Sequence, residues 1–321
     1  MINLYYEENN KVISIDNIDI IKSLISSTEN PCFVTVINPT DVENDILSQL
    51  FKLHIVTLKN IVAQKQIPRV EIYDNYLSTI MYDTENASSQ DSFSINPISI
   101  ILMENITLIL AQKEFIAMQE INSRFLSNPK KAFTSASSLY YITIDVLVDN
   151  LFPILSNVQI KLDKLQESML QNKIKGSNEK ILLLRKHLLE LERIFSFEGD
   201  VLYKISHENM NFISKDQIPY MKDIYHHLEK LNATLKEYDG WASTLNDAYV
   251  AYASSKLDDK LNLFTIIAFI FMPLDTLSGW YGMNFVNMPE LTFKYGYFCL
   301  TGVVAIYLII ITMYFKKKKM L

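Results

Sequence analysis

The chain has 321 residues, 49% of them hydrophobic, and its 30 lysine and arginine residues against 36 aspartate and glutamate residues leave a net charge of −6. Because no basic stripe exists apart from the terminal lysines, this charge argues against a nucleic-acid partner. The length allows more than one domain, and the two cysteines, Cys32 and Cys299, give no reason to expect a disulfide framework.

Residues 1–130 have the pattern of an α/β domain. Short runs rich in β-branched and aromatic residues predict strands, which are residues 2–6, 33–37, 76–82, 95–102 and 106–111. A helix is expected to begin at Thr40 or Asp41 and to run to Leu53, and a weaker helix is expected over residues 55–63. No phosphate-binding loop, nucleophile elbow or Cys/His cluster occurs here, so the protein is not expected to be an enzyme.

Residues 131–260 are predicted to form a helical stalk. Two series of apolar residues recur at spacings of three or four, which defines one face of a helix each time. The series are Leu147, Leu151, Ile154, Val158, Leu162, Leu165 and Met169, and then Leu184, Leu188, Leu191 and Phe195. Residues 175–178 interrupt the pattern between them, so two helices that pack through these faces are expected.

A third helical stretch begins at Pro219 and meets no further proline until Pro273. As one helix, residues 219–279 would be about 90 Å long, about 60 Å more than a membrane core requires. Gly240 is the position at which this helix could bend. Its last part is therefore expected to be a membrane span at the end of a long stalk.

Two apolar runs, residues 261–281 and 295–315, are each long enough to cross a bilayer core, which needs about 20 helical residues. The link of residues 282–294 is too short to be a domain, so the two helices are expected to form a hairpin. The lysines of the tail, residues 316–321, should stay on the cytoplasmic side. Both termini and the large N-terminal part are then cytoplasmic, and the link is extracytoplasmic. By themselves, two such runs could also be a plain membrane anchor.

The ends of the first run carry a specific pattern. The residues concerned are Phe271-Met272-Pro273-Leu274, Gly282-Met283-Asn284 and Met288-Pro289-Glu290-Leu291. This arrangement resembles the CorA family of divalent-metal transporters, whose signature is Gly-Met-Asn at this place. The resemblance implies an α/β cytoplasmic domain, a long α-helical stalk and two C-terminal transmembrane helices, assembled as a pentameric funnel in the inner (cytoplasmic) membrane. One hairpin cannot enclose a pore, and a closed cyclic oligomer is the usual solution.

One face of the first span is predicted to line that pore. Its members recur every three or four residues and match the family's pore-lining face, and they are Leu261, Phe264, Ala268, Met272, Asp275 and Gly279. Leu261, Phe264 and Met272 would make apolar constrictions that can close by excluding water. The alternative is that this face packs against the second span.

Gly282, Met283 and Asn284 are the predicted selectivity filter at the outer mouth. Mg²⁺ keeps several of its waters when bound, and those waters present hydrogens outward. A ring of Asn284 carboxamide oxygens would accept these hydrogens without the strong electrostatic attraction of carboxylates. Glu290 in the loop either concentrates cations near the mouth or is an ordinary solvated carboxylate.

Asp275 departs from the family, which usually has a neutral residue at the corresponding position. An ionisable side chain inside a span is costly and usually functional. A ring of such carboxylates in a poorly hydrated site would hold protons or bind a cation. We therefore interpret Asp275 as an inner cation site, and the alternative is a residue paired within its own helix bundle.

A second departure concerns regulation. In the family, a divalent ion joins a stalk aspartate to an acidic residue of the neighbouring subunit and holds the closed state. The stalk aspartate matches Asp223, but its partner falls at Lys59-Asn60, where lysine repels the ion. Asp223 and Asn60 are the candidate regulatory ligands, and His227, on the same helix face as Asp223, could substitute. Weaker or relocated Mg²⁺ feedback is therefore predicted.

The function that this resemblance implies is electrochemically driven influx of Mg²⁺, and also of Co²⁺ or Ni²⁺. Mg²⁺ would be both the transported ion and a regulatory ligand, and the partners would be further copies of the chain and the lipid membrane. Two alternatives stay open. One is a zinc transporter of the same superfamily, and the other is a membrane-anchored sensor or scaffold that responds to divalent ions without transporting them.

Overall fold

The computed structural model describes residues 1–27, 30–54, 56–57, 66–86, 93–171, 176–208, 210–283, 288 and 293–317. The chain divides into two compact units, Met1–Leu245 and Asn246–Leu321. One long α-helix, Ile218–Tyr281, contributes residues to both units. The sheet belongs to the first unit, and the apolar C-terminal hairpin belongs to the second.

The first third of the chain contains strands and helices, and the described elements after it are helices. In chain order they are β1 Ile2–Glu8, β2 Lys11–Ile15, α1 Ile18–Ser27, β3 Cys32–Ile37, α2 Asp41–Phe51, β4 Arg69–Ile72, β5 Leu77–Asn86, β6 Phe93–Leu102, β7 Ile106–Ala111, α3 Ala117–Ser127, α4 Pro129–Ala132, α5 Ala136–Asp149, α6 Leu151–Leu170, α7 Ser177–His207, α8 Ile218–Tyr281 and α9 Gly296–Lys317.

The strands form one seven-stranded sheet in the order β2-β1-β3-β7-β6-β5-β4. β3 and β7 are parallel neighbours, and the other neighbouring strands are antiparallel. β3 and β7 are buried along almost their whole length, which is typical of central strands covered on both faces. These strands are therefore the centre of the first unit.

Helices cover both faces of the sheet. On one face, Ile21 of α1 and Leu47 of α2 join a buried cluster with Val34 of β3. On the other face, the ring of Phe33 packs edge-on against Phe125 of α3, with 4.9 Å between the ring centroids. Successive residues of a strand point to opposite faces of the sheet, so Val34 packs against the helices on one face and Phe33 packs against α3 on the other.

α5 is fixed to the sheet by hydrogen bonds as well as by packing. The hydroxyls of Thr79 and Tyr140 lie 2.6 Å apart, and both residues are buried. The hydroxyl of Thr107 donates to the Ala136 carbonyl oxygen at 2.7 Å. The hydroxyls of Thr79, Tyr140 and Thr107 thus each have a partner, which offsets the cost of their desolvation.

All five predicted strands are present, as β1, β3, β5, β6 and β7. Five elements of the first 132 residues were not predicted from the sequence, and they are β2, α1, β4, α3 and α4. β2 follows a two-residue turn in which Asn9 and Asn10 have φ values of 53° and 63°, the left-handed conformation that a tight hairpin turn needs. The Asn-Asn pair before the alternating residues of β2 was a signal for that hairpin. The weaker helix expected over residues 55–63 falls mostly outside the described residues.

α2 begins as predicted, and the structure decides which residue caps it. The Thr40 hydroxyl accepts from the Glu43 N–H at 3.3 Å, and the Glu43 carboxylate accepts from the Thr40 N–H at 2.8 Å. This reciprocal pair is a capping box, which satisfies two N–H groups that the first turn leaves free. Asp41 is the first residue of the helix proper.

The predicted helix faces of the stalk are buried. Leu147, Leu151, Ile154, Val158, Leu162 and Leu165 of α5 and α6 are all covered, and so are Leu184, Leu188, Leu191 and Phe195 of α7. Gly176 precedes α7 with a φ of 81°, a conformation that glycine adopts without strain. The interpretation of these residues as helix-packing positions is confirmed.

Within the described residues, three helical stretches are long and apolar enough to cross a membrane, and they are Ala136–Leu170, Ile218–Tyr281 and Gly296–Lys317. They differ in how the protein covers them. The apolar part of Ala136–Leu170 is 61% buried inside the fold, whereas the apolar parts of α8 and α9 are only 6% buried. The apolar residues of α8 and α9 are therefore those that remain for lipid or for other protein surfaces.

Candidate functional sites

α8 and α9 pack through a narrow face of each helix. Ile266 of α8 and Phe315 of α9 are buried, and the rings of Phe269 and Phe315 lie 6.5 Å apart, edge to face. The Tyr307 hydroxyl donates to the Phe269 carbonyl oxygen at 2.6 Å. Further along α8, the half-buried residues are Ile270, Pro273, Leu274, Leu277 and Tyr281. These positions recur every three or four residues and define the side of α8 that faces α9.

The predicted pore-lining residues lie on the opposite side of α8. Leu261, Phe264, Ala268, Met272, Asp275 and Gly279 are all exposed. Leu261, Phe264 and Met272 are 53%, 67% and 69% exposed. At 3.6 residues per turn, this set is centred about half a turn away from the face that contacts α9. Within the chain, α9 therefore leaves the predicted pore face uncovered.

Asp275 interrupts that apolar face with a carboxylate. Among the described residues, Asp275 has no hydrogen bond or ion pair. The hydroxyl of the neighbouring Thr276 donates instead to the Met272 carbonyl oxygen at 2.9 Å. Asp275 lies six residues before Tyr281, the last residue of α8, which is about 9 Å along the helix. The described part of the hairpin thus offers this carboxylate no counter-charge.

The first two residues of the predicted filter follow the end of α8. The Gly282 N–H donates to the Ser278 carbonyl oxygen at 2.9 Å, and a Cβ atom at Gly282 would lie 3.0 Å from that oxygen. A side chain at this position would therefore press on the main chain of the last turn. Met283 is exposed. Asn284 and Glu290 lie outside the described residues.

The candidate regulatory residues of the stalk are only partly described. Asp223 is exposed, and its carboxylate lies 3.8 Å from the His227 Nε2. His226 points elsewhere and contacts the Glu229 carboxylate at 3.2 Å. Lys59 and Asn60 lie outside the described residues. The structure thus brings Asp223 and His227 together on one helix, as the spacing of four residues predicts.

His227 also belongs to a cluster of possible metal ligands that was not predicted from the sequence. One ligand atom each of Asp145, Asp149 and His227 can be chosen so that all three lie within 4.8 Å of one another. Asp145 and Asp149 are one turn apart on α5, and His227 belongs to α8. The spacing of the two aspartates was visible in the sequence, but their approach to His227 depends on how α5 packs against α8. We call these three residues the acidic–histidine cluster.

Arg124 of α3 also reaches this cluster. Its guanidinium donates to Asp145 through Nη1 and to Asp149 through Nη2, the latter at 2.6 Å, and Nε donates to Glu120 at 3.2 Å. Such forked charge-assisted bonds are among the strongest that a carboxylate can accept. Arg124 therefore joins α3 to α5 through two carboxylates at once.

The electrostatics of the cluster reflect two opposed effects. Burial, and then the neighbouring charge of Asp149, raise the pKa of Asp145, whereas the hydrogen bond from Arg124 lowers it. Burial lowers the pKa of Arg124, but its bonds to Asp149, Asp145 and Glu120 outweigh this, so the pKa is raised overall. Burial and the charge of Asp145 together raise the pKa of Tyr141 to about 12. The carboxylates thus create a field that favours a cation.

The donor atoms of the acidic–histidine cluster suit a divalent metal ion. Carboxylate oxygens are the ligands of Mg²⁺, and an imidazole nitrogen extends the range to Co²⁺, Ni²⁺ and Zn²⁺. Metal–ligand bonds of about 2.0–2.6 Å place ligand atoms on opposite sides of an ion about 4–5 Å apart, which the spacing in the cluster allows. The His227 Nδ1 is buried and has no hydrogen-bond partner among the described residues, so it could serve as a ligand.

The fold and the hairpin define a membrane protein with an α/β sheet domain, long helices and two apolar C-terminal helices. The model of the family described as CorA-like Mg²⁺ transporter protein matches residues 28–317. The cobalt/magnesium transport protein CorA of Thermotoga maritima is 31% identical over 300 residues, which is 92% of this chain and 84% of that protein. The chain belongs to the CorA-like family of divalent-cation transporters.

Two further comparisons concern the fold and the ion. The complete structure of the CorA magnesium transporter from Methanocaldococcus jannaschii has a TM-score of 0.83 and covers 98% of this chain and 97% of its own, at 19% identity. The zinc transport protein ZntB of Pectobacterium carotovorum is 23% identical over 259 residues, 78% of this chain and 76% of that protein. The family is one of ion transporters, and its members differ in the metal that they carry.

Proposed function

We propose that this protein is a homopentameric channel that admits Mg²⁺ to the cytosol through a pore lined by α8, with Co²⁺ and Ni²⁺ as further permeant ions. The observation that carries the proposal is the exposed face of α8, on which a carboxylate, Asp275, interrupts an apolar stripe close to Gly282 and Met283 and has no partner in the described part of the chain. An ionisable residue inside a span usually marks an ion pathway.

The geometry of the hairpin supports an oligomeric assembly. α8 and α9 use one face for each other, and two helices cannot surround a pore. Several copies in a ring would bury the uncovered face of α8 around a common axis, and closed cyclic symmetry is the usual arrangement. Five copies in the cytoplasmic membrane, with both termini in the cytosol, is the arrangement that we infer from the family.

Selection and gating are assigned to successive levels of the pore. A ring of Asn284 accepts hydrogen bonds from the waters of the hydrated ion at the outer mouth. Asp275 holds the ion further in. Met272, Phe264 and Leu261 form apolar constrictions that dewet in the closed state.

The ion's own gradient supplies the energy. Moving one charge through 100 mV is worth about 2.3 kcal/mol, so inward movement of a divalent cation gains about 4.6 kcal/mol per 100 mV. No nucleotide needs to be hydrolysed.

Regulation by cytosolic divalent ions is assigned to the first unit. Asp223 keeps its family position, but Lys59 opposes a bridging ion across the subunit boundary. The acidic–histidine cluster, beside Asp223, offers carboxylate and imidazole ligands within one chain. We infer that feedback by Mg²⁺ is weaker than in the family or has moved to this cluster.

The first experiment is uptake into liposomes. Purified protein and its Asn284→Ala variant are reconstituted, and Mg²⁺ entry is followed at defined membrane potentials. Asn262→Ala, a change of the same kind off the predicted pore face, is the matched control. Potential-dependent Mg²⁺ entry that survives Asn262→Ala and disappears in Asn284→Ala supports the proposal.

Two other outcomes of the uptake experiment would change the proposed function. Entry of Zn²⁺ alone would keep the architecture and change the ion, as the similarity to zinc transport proteins allows. Correctly inserted protein that transports neither ion, at low and at high internal Mg²⁺, would make the chain a membrane-anchored sensor.

A further inference from the structure

We propose that Arg124 closes the acidic–histidine cluster to divalent cations, because its guanidinium occupies the place between Asp145 and Asp149 that a metal ion would take. This inference rests on the proposed regulatory role of the cluster. It adds that a side chain of the protein itself, Arg124, competes with divalent cations for the acidic–histidine cluster.

Arg124 and a metal ion would need the same two carboxylates. The guanidinium already binds one carboxylate oxygen of Asp145 and one of Asp149, and both are Oδ2. One oxygen of each of these carboxylates and one ring nitrogen of His227 also lie within 4.8 Å of one another. A divalent ion bound among the three ligand atoms would be a few Å from a guanidinium that keeps its charge at any physiological pH. Simultaneous binding would therefore be opposed by strong repulsion between the two cations.

The charges around the cluster explain why a cation is needed there. Asp145 and Asp149 lie one turn apart on the same helix, where like charges repel. Asp145 is half-buried, and burial together with Asp149 raises its pKa, which Arg124 counteracts. Glu120 and Asp223 add further negative charge nearby, through contacts with Arg124 and His227. Either Arg124 or a metal ion can compensate this charge.

The two cations would connect different helices. Arg124 ties α3, which packs on the sheet, to α5. A metal ion would instead join α5 to α8 through a ring nitrogen of His227. The Nδ1 atom of that ring is buried and has no hydrogen-bond partner among the described residues. An exchange of Arg124 for a metal ion would therefore move a contact of α5 from the sheet layer to the long helix.

Metal binding to the full-length protein in detergent tests this competition without any measurement of transport. Mn²⁺ is the probe, because it accepts oxygen and nitrogen ligands and free Mn²⁺ is counted by electron paramagnetic resonance. Arg124→Gln removes the charge and keeps a polar side chain. We expect this variant to bind Mn²⁺ at the cluster about tenfold more tightly than the wild type does, because the ion no longer competes with the charge and hydrogen bonds of the guanidinium.

Three further variants make the result specific. Asp149→Asn in the Arg124→Gln background should abolish the added binding, because it removes a ligand. Arg185→Gln removes another arginine of the first unit, one that lies 3.8 Å from Asp239, and should leave Mn²⁺ binding unchanged. Arg124→Lys keeps the charge but cannot form the fork, so a smaller gain in affinity is expected.

Equal Mn²⁺ affinity in the wild type and Arg124→Gln would overturn the proposal, and so would a gain that survives Asp149→Asn. If Arg124→Gln does not fold, as judged by circular dichroism, Arg124→Lys decides the question, and affinity equal to that of the wild type counts against competition. Failure of the uptake experiment would leave these binding results intact, so the two proposals fail separately.

Discussion

Glu198 and Tyr82 lie 116 residues apart in the sequence and are joined by a hydrogen bond of 3.0 Å from the Tyr82 N–H to the Glu198 carboxyl. β4 begins at Arg69, which pairs with Ile80 of β5, so the Tyr82 N–H lies two residues beyond the end of that pairing. The side chain of Glu198 continues the hydrogen bonding where the strand stops. This contact fixes α7 to the sheet through a carboxyl that is almost completely buried.

The first prediction concerns the pH dependence of stability. Burial raises the pKa of Glu198 from 4.5 to about 8. Between those values the folded chain keeps a proton that the unfolded chain has released, so the free energy of unfolding falls as pH rises and levels off above pH 8. The loss is at most about 1.4 kcal/mol per pH unit in that window.

Glu198→Gln should remove this dependence, because the amide oxygen can still accept from Tyr82 but cannot ionise. The melting temperature of the full chain in detergent is measured from pH 5 to pH 8.5. The melting temperature of Glu198→Gln should rise relative to that of the wild type as pH increases. Glu192→Gln changes an exposed residue on the same helix, and its melting temperature should vary with pH as that of the wild type does. Parallel curves for Glu198→Gln and the wild type would contradict the assignment.

The second prediction concerns Asp275. Asp275→Asn keeps the size of the side chain and removes its charge, so it should lower the rate of Mg²⁺ entry into liposomes. Asp259→Asn, the same change at an exposed position on the other side of the same helix, is the control. Unchanged flux and ion selectivity in Asp275→Asn would show that this carboxylate is not a cation site.

The third prediction concerns the end of α8. Gly282→Ala places a Cβ atom 3.0 Å from the Ser278 carbonyl oxygen, whereas a Cβ atom at Gly302 of α9 meets nothing within 4 Å. The last turn must shift to relieve the contact, so Gly282→Ala should reduce Mg²⁺ entry by an order of magnitude or more, since small displacements of positioned groups are costly. Gly302→Ala should transport normally, and equal transport by both variants would argue against a tight turn.

The fourth prediction concerns the hairpin itself. Tyr307→Phe removes the hydroxyl that donates to the Phe269 carbonyl oxygen, the described hydrogen bond that joins α8 to α9. Hydrogen bonds between membrane helices contribute about 0.6–2 kcal/mol each, so a modest fall in the melting temperature in detergent is expected. Tyr297→Phe alters a side chain that is 76% exposed and should have no such effect. A Tyr307→Phe variant that melts with the wild type would indicate that the bond contributes nothing.

Much of the fold could be predicted because it depends on local patterns. The apolar series Leu184, Leu188 and Leu191 repeats at helical spacing, and Thr40 is three residues from the Glu43 that completes its cap. Length and hydropathy placed the two C-terminal helices, and the Gly-Met-Asn motif indicated the family. β2 and β4 were missed because a strand of four or five residues has too few alternations to stand out.

The sequence by itself determined the elements whose cause lies within one turn of helix or one strand: the apolar faces, the caps, the spans and the family motif. Only the tertiary structure decided which distant side chains meet. Arg124, Asp145 and His227 come from three helices, and no spacing in the chain encodes their approach. The side of α8 that contacts α9 was likewise decided by packing, because almost every residue of a membrane span is apolar and the pattern alone does not distinguish its faces. Local order follows from short-range sterics and periodicity, whereas these sites depend on residues far apart in the chain, such as Asp145 and His227, which are 82 positions apart (227 − 145).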